Sequence, residues 1–204
     1  MTTPRDLMIV TLDAASSRPV EQGNLSLALA GAELIDLLDV RAAFLDGDRI
    51  VPGPQLVTDD RLLDAAASAL VRQEPYESAE DWLWRRGNGL SSTYQAALEE
   101  EGQLARERRR WLPVPTERTA LVDSPARRHA ADRWASGERV LAGLAAAVGI
   151  HDKPDEDFEG SGDAGDDVVL TVLGAVHDAV MELEAVRQRR TIENAAFDNI
   201  WRGQ

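Results

Sequence analysis

The amino-acid sequence predicts a mainly α fold, a single-domain helical bundle with amphipathic peripheral helices and two small β-hairpins. Apolar residues recur at helical spacing in several segments, most clearly from Leu25 to Leu38. Two short apolar runs flank Asp46-Gly47-Asp48, a pattern typical of a tight hairpin. A second hairpin is indicated between Gln103 and Leu121, where the prolines suit edge or turn positions. Hydrophobic residues make up 44% of the 204 residues, which is enough for a core.

The first part of the chain predicts three helices and the first hairpin. A helix over Leu7–Leu12 precedes a second helix, for which Asn24 is a suitable N-cap. The hairpin at 44–51 follows. Asp59 or Asp60 then caps a third helix, because a side-chain carboxylate at this position accepts a hydrogen bond from a free backbone N–H of the first turn.

The middle of the chain predicts two further helices with recognisable ends. Ser78 is followed by two acidic residues and an apolar run, which is the pattern of a capped helix start. The next helix runs from Ser91 or Ser92 to Glu101. Gly102 ends it, because glycine adopts the left-handed conformation that commonly terminates helices.

The last part of the chain predicts three helices separated by an acidic stretch. Ser124-Pro125 opens a helix with proline at its first position, and this helix reaches about Ser136. Another helix covers Glu138–Val148, and a long amphipathic helix covers 168–190. We expect one domain over 1–204, a flexible acidic loop at 152–167 and a C-terminal tail at 191–204 that adds one more turn-rich helix.

The acidic stretch 155–166 contains oxygen-bearing side chains at positions similar to those of a calcium-binding loop, with Gly160 at the sixth position. The final ligand is an aspartate in place of the usual glutamate, and Pro154 lies where an entering helix is needed. A solvated acidic linker explains the stretch better, so we expect no metal site. The histidines at 129, 151 and 177 are scattered without ligand spacing.

Composition excludes several functional classes. The chain has no cysteine, so disulfides and thiolate chemistry are excluded. No nucleophile elbow, phosphate loop or dinucleotide fingerprint is present, so neither a catalytic residue nor a cofactor is predicted. The apolar run near the N-terminus is too short for a signal or membrane span, so we expect a cytoplasmic protein.

Charge is distributed unevenly along the chain. The net charge of −14 disfavours nucleic-acid binding. From Gln103 to Arg139, however, nine arginines stand against five acidic residues, so this stretch carries +4 and the rest carries −18. Such a basic island either orients the protein at an anionic surface or is a solvated basic face.

The sequence Arg108-Arg109-Arg110-Trp111-Leu112 lies in the predicted second hairpin. Arginine beside an amphipathic ring suits a membrane interface, where each basic residue near an anionic surface contributes about 1 kcal/mol. The same segment also suits pairing with a strand of a partner chain, or packing of the hairpin on its own domain.

Several segments in order resemble a known family. They are LALAGAELIDLL before a hairpin, TDDRLLDAAASAL, EDWLWRRG, YQAALEEEGQL, and then a second hairpin and the helix that begins at Pro125. Over about residues 5–150 this order resembles the bacterial branch of the Golgi phosphoprotein 3 family of phosphatidylinositol 4-phosphate-binding proteins. The resemblance implies a helical bundle core with a hydrophobic hairpin, peripheral membrane attachment, no enzymatic activity and an adaptor role.

The resemblance also implies where a headgroup site would lie. Eukaryotic members use a tryptophan and three arginines, whose equivalents here are Glu21, Ala30, Asn88 and Ser91, so none keeps its residue type. Without these guanidinium groups a phosphate pocket loses its bidentate donors. The nearby basic residues that can substitute are Arg18, Arg85 and Arg86.

Two functional hypotheses follow. The first is a non-enzymatic peripheral protein at the inner membrane face that binds anionic lipid or a phosphorylated headgroup, with hairpin residues 108–112 adsorbing electrostatically where the family inserts an apolar hairpin. The alternative is a soluble scaffold that does not bind lipid and uses the hairpin for self-association or a protein partner. An enzyme remains a third possibility that no group of residues supports.

Overall fold

A computed structural model describes residues 2–14, 20–55, 57–108, 117–151 and 164–202. Within these residues the chain forms eight helices and two antiparallel two-stranded hairpins, which confirms the predicted fold class. The elements in chain order are α1 (Thr3–Ala14), α2 (Gln22–Asp39), β1 (Ala43–Asp46), β2 (Arg49–Pro52), α3 (Arg61–Ala69), α4 (Ala79–Arg86), α5 (Leu90–Glu100), β3 (Leu104–Arg108), β4 (Glu117–Leu121), α6 (Pro125–Ala135), α7 (Arg139–Ala147) and α8 (Ala164–Arg202).

Helix α2 lies at the centre of the bundle. It contacts α1, α3, α4, α5, α7 and α8, and nearly every residue from Asn24 to Leu37 is buried. Gly31 allows α8 to approach closely, because a Cβ atom at this position would lie 2.3 Å from Val176 Cγ2. All the other helices therefore pack, directly or through one neighbour, on a single core.

Side-chain caps set the starts of four helices. Asp60 Oδ1 accepts hydrogen bonds from the backbone N–H groups of Leu62 and Leu63 at the start of α3. Ser78 and Asp81 form a capping box at the start of α4. Ser124 caps α6, and Glu138 caps α7. Each cap satisfies backbone donors that the first helical turn leaves without an intrahelical partner.

Both hairpins lie where the sequence predicts them. The strands β1 and β2 pair in the register Ala43 opposite Pro52, around a turn in which Gly47 has a positive φ of 62°. The strands β3 and β4 pair with Leu104 opposite Leu121. The tip of the second hairpin, residues 109–116, lies outside the described residues.

Two predictions about helix ends are wrong. Asn24 is not the N-cap of α2, since the helix begins at Gln22 after Glu21, and Asn24 is buried in its first turn. Its amide donates to Glu184 Oε1 at 2.9 Å and accepts from Arg187 Nη1 at 2.7 Å, so this polar side chain fastens α2 to α8.

Helix α8 is longer than predicted at both ends. It begins at Ala164 within the expected loop 152–167, and it continues to Arg202 through the expected tail 191–204. Acidic residues at 166 and 167 near its start favour a helix N-terminus, because they interact with the helix dipole. The remaining loop residues, 152–163, and with them most of the candidate calcium loop, lie outside the described residues.

Candidate functional site at the junction of α2, α4 and α5

One face of α2 presents polar residues to α4 and α5. Ser26, Ala30 and Glu33 follow each other at intervals of four and three residues, so they lie on the same side of the helix. The hydroxyl of Ser26 donates to Ser91 Oγ at 2.9 Å and accepts from the backbone N–H of Ser91 at 3.0 Å. These two bonds hold the first turn of α5 against α2.

Trp82 of α4 lies across the middle of this face. Its indole N–H donates to the carbonyl oxygen of Ala30 at 2.9 Å, and the whole side chain is buried. The side chain of Ala30 is also fully buried. The centre of the junction is therefore filled by protein atoms.

Glu33 is the charged residue of this face and has no solvent exposure. Arg86 donates to both of its carboxylate oxygens, from Nε at 2.7 Å and from Nη2 at 2.9 Å. The hydroxyl of Tyr94 donates to Oε1 at 3.0 Å. Burial raises the pKa of Glu33, and the bonds from Arg86 and Tyr94 oppose this rise. Burial lowers the pKa of Arg86, but the hydrogen bonds to Glu33 and its opposite charge outweigh burial and raise this pKa, so the guanidinium stays protonated.

Arg85, whose side chain is 47% exposed, has a different acidic partner. It donates to both carboxylate oxygens of Glu77, at 3.0 and 2.6 Å, and to the carbonyl oxygen of Ala69 at 3.0 Å. Its guanidinium carbon also lies 5.4 Å from the ring centroid of Trp82, which is within range of a cation–π interaction. Arg85 and Arg86 are thus both paired with carboxylates.

Comparison with known proteins identifies the fold. The family model of Golgi phosphoprotein 3 (GPP34) matches residues 4–188, which is most of the chain. The chain belongs to the Golgi phosphoprotein 3 family. No curated protein matches it.

The four positions that the sequence analysis predicts as headgroup equivalents differ in burial in the structure. Ala30 and Ser91 are buried in the junction, whereas Glu21 is exposed before α2 and Asn88 is exposed in the turn after α4. Arg18 lies outside the described residues. The assignment of these positions to a headgroup site of the Golgi phosphoprotein 3 type remains a prediction.

The basic island between Gln103 and Arg139 also contains paired arginines. Arg127 Nη2 lies 2.7 Å from Asp13 Oδ1, and Arg133 Nη1 lies 2.7 Å from Asp6 Oδ2. Arg133 also contacts Glu138 at 2.7 Å. These arginines join α6 to α1 and to the start of α7, so part of the island stabilises the fold.

The remaining arginines of the island belong mainly to the second hairpin. Arg108 ends β3 and lies opposite Glu117 of β4 in the strand register. Arg109, Arg110, Trp111 and Leu112 lie outside the described residues, so their proposed membrane or partner contact remains a prediction.

The sequence analysis missed the buried acidic residues that organise the helices. Glu33 interrupts an apolar helical run, and this interruption was the one signal that could have identified it. Asp6 is fully buried and pairs with Arg133, and burial raises its pKa. Nothing in the sequence indicates these partners, because Glu33 and Arg86 are 53 residues apart and Asp6 and Arg133 are 127 apart.

The described residues contain neither a metal site nor a membrane span. No group of three or more histidine, aspartate or glutamate residues among them is arranged to hold a metal ion. No helix among them is long and apolar enough to cross a bilayer.

Proposed function

We propose that this Golgi phosphoprotein 3-family protein is a non-enzymatic adaptor that adsorbs on anionic membrane surfaces through the basic tip of its second hairpin. Membership of the family over residues 4–188 carries the proposal, because the family is one of non-enzymatic lipid-binding adaptors. The hairpin region from Gln103 to Leu121 contains five arginines and two glutamates in a chain whose net charge is −14. A basic tip on an acidic body orients the protein at an anionic surface.

The proposed contact is electrostatic and does not select one headgroup. Arg86 is held by a buried carboxylate, and Arg85 is held by Glu77. Binding of a phosphate by either arginine would require breaking its ion pair. The hairpin arginines at 106–110 are therefore the better candidates for lipid contact.

Cosedimentation of the full chain with liposomes tests this proposal. We expect binding to vesicles of phosphatidylcholine with phosphatidylglycerol at low salt, and loss of binding at about 0.5 M salt because ions screen the interaction. Vesicles with phosphatidylinositol 4-phosphate at matched surface charge should bind equally well. Absence of binding at low salt would refute the proposal, and salt-resistant binding would indicate insertion of the hairpin.

Matched variants locate the contact. Arg109→Ala combined with Arg110→Ala should abolish sedimentation. Arg61→Ala combined with Arg72→Ala removes the same number of charges at two exposed arginines outside the hairpin and should leave sedimentation unchanged. Equal losses in both variants would show that only the total charge matters and would contradict a hairpin contact.

A soluble scaffold that associates through the hairpin is the second candidate. The net charge of −14 and the filled junction at Ala30 and Ser91 favour it. Light scattering of the wild type and of Trp111→Ala distinguishes the two candidates. A hairpin-mediated oligomer that Trp111→Ala dissociates, together with no liposome binding, would support the scaffold.

A further inference from the structure

A pocket lies beside the C-terminal end of α2, and none of the residues of the junction with α4 and α5 lines it. It has a volume of about 540 Å³ and is lined by residues of α1, α2, β1, α6, α7 and α8. We call it the α2-end pocket. Most of its lining residues are apolar, and they include Ile35, Leu38, Leu45, Val140 and Val169. Pockets of this size with mostly apolar walls and a few polar groups are typical of small-molecule sites.

Two aspartates line the α2-end pocket without a basic partner. Asp36 and Asp39 both belong to α2, and no basic side chain of the described residues forms an ion pair with either of them. Asp36 Oδ2 accepts a hydrogen bond from the backbone N–H of Thr3 at 2.8 Å. Burial raises the pKa of Asp36, although the bonds from Thr3 and the charge of Arg133 oppose this rise. The carboxylate of Asp36 therefore lacks a full compensating positive charge.

The arginine that lines the α2-end pocket is already bonded to two other carboxylates. Arg133 Nη1 lies 2.7 Å from Asp6 Oδ2, and Arg133 Nη2 lies 2.7 Å from Glu138 Oε2. Asp6 is fully buried, and its other oxygen, Oδ1, has no hydrogen-bond partner among the described residues. Together with Asp36 and Asp39, four carboxylates thus accompany one guanidinium in or next to the pocket. A further cation would balance this excess of negative charge.

The position of Asp36 and Asp39 in their helix also favours a cation. Both lie in the last turn of α2, which contains no basic residue. The helix dipole places partial negative charge at this end, so acidic residues here are unfavourable unless a cation compensates them. Residues three apart are neighbours on a helix surface, with Cβ atoms about 5–6 Å apart. One ammonium group can therefore contact both carboxylates.

An exposed aromatic ring forms part of the same pocket. Phe44 of β1 lines it and is 47% exposed. The face of an aromatic ring attracts ammonium groups, and the ring also packs against hydrocarbon. A ligand that matches the whole pocket has one positive group for the aspartates and an apolar chain for the walls. An inorganic cation lacks the chain, and a diamine would place its second charge against apolar residues.

We propose that the α2-end pocket binds a primary aliphatic amine, with its ammonium group between Asp36 and Asp39 and its hydrocarbon chain along Phe44 and the apolar wall. An amine of this class is protonated at pH 7, as lysine side chains are. No described residue of the second hairpin lines the pocket. Liposome binding without amine binding, or amine binding without liposome binding, would therefore refute one proposal and leave the other intact.

Isothermal titration calorimetry of the full chain with hexylamine gives the first test. At pH 7 and low salt we expect a dissociation constant of about 1 mM or below. 1,6-Diaminohexane has the same length and a second charge, and it should bind about tenfold more weakly, because its second ammonium group meets the apolar wall. General attraction to a chain of net charge −14 would instead favour the diamine. Equal or tighter binding of the diamine, or no binding of hexylamine at about 10 mM, would overturn the proposal.

Chain length and the aromatic ring test the apolar part of the site. Butylamine has two methylene groups fewer than hexylamine and should bind about tenfold more weakly, since each buried methylene contributes about threefold. Phe44→Ala should weaken the binding of hexylamine about threefold. Val57→Ala changes an apolar residue that is 91% exposed outside the pocket and should have no effect. Equal affinities for the two amines, or an unchanged affinity in Phe44→Ala, would contradict the proposed contact with the chain.

Matched charge variants locate the ammonium group. Asp36→Asn with Asp39→Asn should weaken the binding of hexylamine at least about 30-fold, because both charged acceptors are lost. Asp46→Asn with Asp132→Asn removes the same charge at two exposed aspartates that do not line the pocket and should leave binding unchanged. Equal losses in the two double variants would show that only the total charge matters and would refute the site.

A single variant protects this test against a loss of folding. Asp39→Asn alone changes an exposed side chain and should still weaken the binding of hexylamine about fivefold. Circular dichroism of each variant confirms that it is folded. An unchanged affinity in folded Asp39→Asn would contradict an ammonium group between the two aspartates.

Discussion

The arginines of α4 and the arginines of the second hairpin lie in different surroundings. Arg86 donates two hydrogen bonds to the carboxylate of Glu33, which is fully buried in the bundle. In the described strands of the second hairpin, Arg108 lies opposite Glu117 and Arg118 lies opposite Glu107 in the register, and Arg109 and Arg110 follow Arg108 in the sequence. A guanidinium with a buried acidic partner stabilises the fold, whereas we propose that the hairpin arginines contact an anionic surface.

The largest effect that tests this comparison is expected at Glu33. Glu33→Gln should lower the free energy of unfolding by about 3–5 kcal/mol, because Arg86, whose side chain is only 19% exposed, loses its charge partner in the bundle. Chemical denaturation measures this change. Glu77→Gln removes the partner of Arg85, which is 47% exposed, and should cost at most about 1 kcal/mol. Similar losses in both variants would show that burial does not distinguish the two arginines.

A smaller effect is expected at two glycines that differ in their packing. Gly31 of α2 lies against the buried side of α8, and Gly174 lies on the exposed side of α8. Gly31→Ala places a Cβ atom 2.3 Å from Val176 Cγ2 and should lower the free energy of unfolding by about 1–3 kcal/mol. Gly174→Ala adds a Cβ atom with no neighbour within 4 Å and should stabilise the helix by up to about 1 kcal/mol. Thermal and chemical denaturation should give opposite signs for the two variants; equal signs would contradict this packing of α2 on α8.

The ion pair between Arg5 and Asp60 predicts a pH-dependent contribution to stability. Burial alone would raise the pKa of Asp60, but hydrogen bonds from Arg5, from the backbone of Leu62 and from Thr2 lower it below the ordinary value of 3.8. Because the folded-state pKa is depressed, the carboxylate stabilises the fold above pH 3.8, and this contribution is lost as the pH falls through the folded-state pKa.

Asp60→Asn should therefore cost about 1–2 kcal/mol at pH 7 and progressively less below pH 4. Denaturation of both proteins between pH 3 and pH 7 measures the difference. Asp81→Asn provides a comparison without a bonded arginine, because hydrogen bonds from Ser78 lower the pKa of this capping-box carboxylate, and its loss of stability should therefore change with pH in the same direction. A loss from Asp60→Asn that stays constant with pH would rule out this linkage.

The smallest effect on stability is expected in the second hairpin. Arg109→Ala with Arg110→Ala should change the free energy of unfolding by no more than about 0.5 kcal/mol, as surface substitutions usually do. The same double variant should abolish liposome binding. A loss of several kcal/mol would instead mean that these arginines have structural partners, as Arg86 has.

Local sequence patterns were sufficient to predict most of the helix starts and the first hairpin. Asp60 and Ser78 accept hydrogen bonds from backbone groups two or three residues away, so the sequence contains both partners of each cap. The turn at Gly47 has the positive φ that its neighbours indicate. The family was also identifiable from the order of these segments, and the match over 4–188 confirms it.

Other features could not be predicted from the sequence, because the residues that interact lie far apart in the chain. Asparagine is a favoured N-cap residue, yet Asn24 is buried and forms hydrogen bonds with Glu184 and Arg187 of α8. The full length of α8 was missed because acidic and glycine-containing sequence at its start is also typical of a loop. At the candidate site, the ion pair between Arg86 and Glu33 joins two helices that meet only in the folded protein.

The sequence by itself determined the caps at Asp60 and Ser78, the turn at Gly47, the net charge of −14 and the family, because these depend on neighbouring residues or on composition. Only the tertiary structure decided which arginines are paired with acids and which side of α8 faces away from the bundle. Those properties depend on burial, which raises the cost of leaving a charge unpaired and is set by residues far apart in the chain.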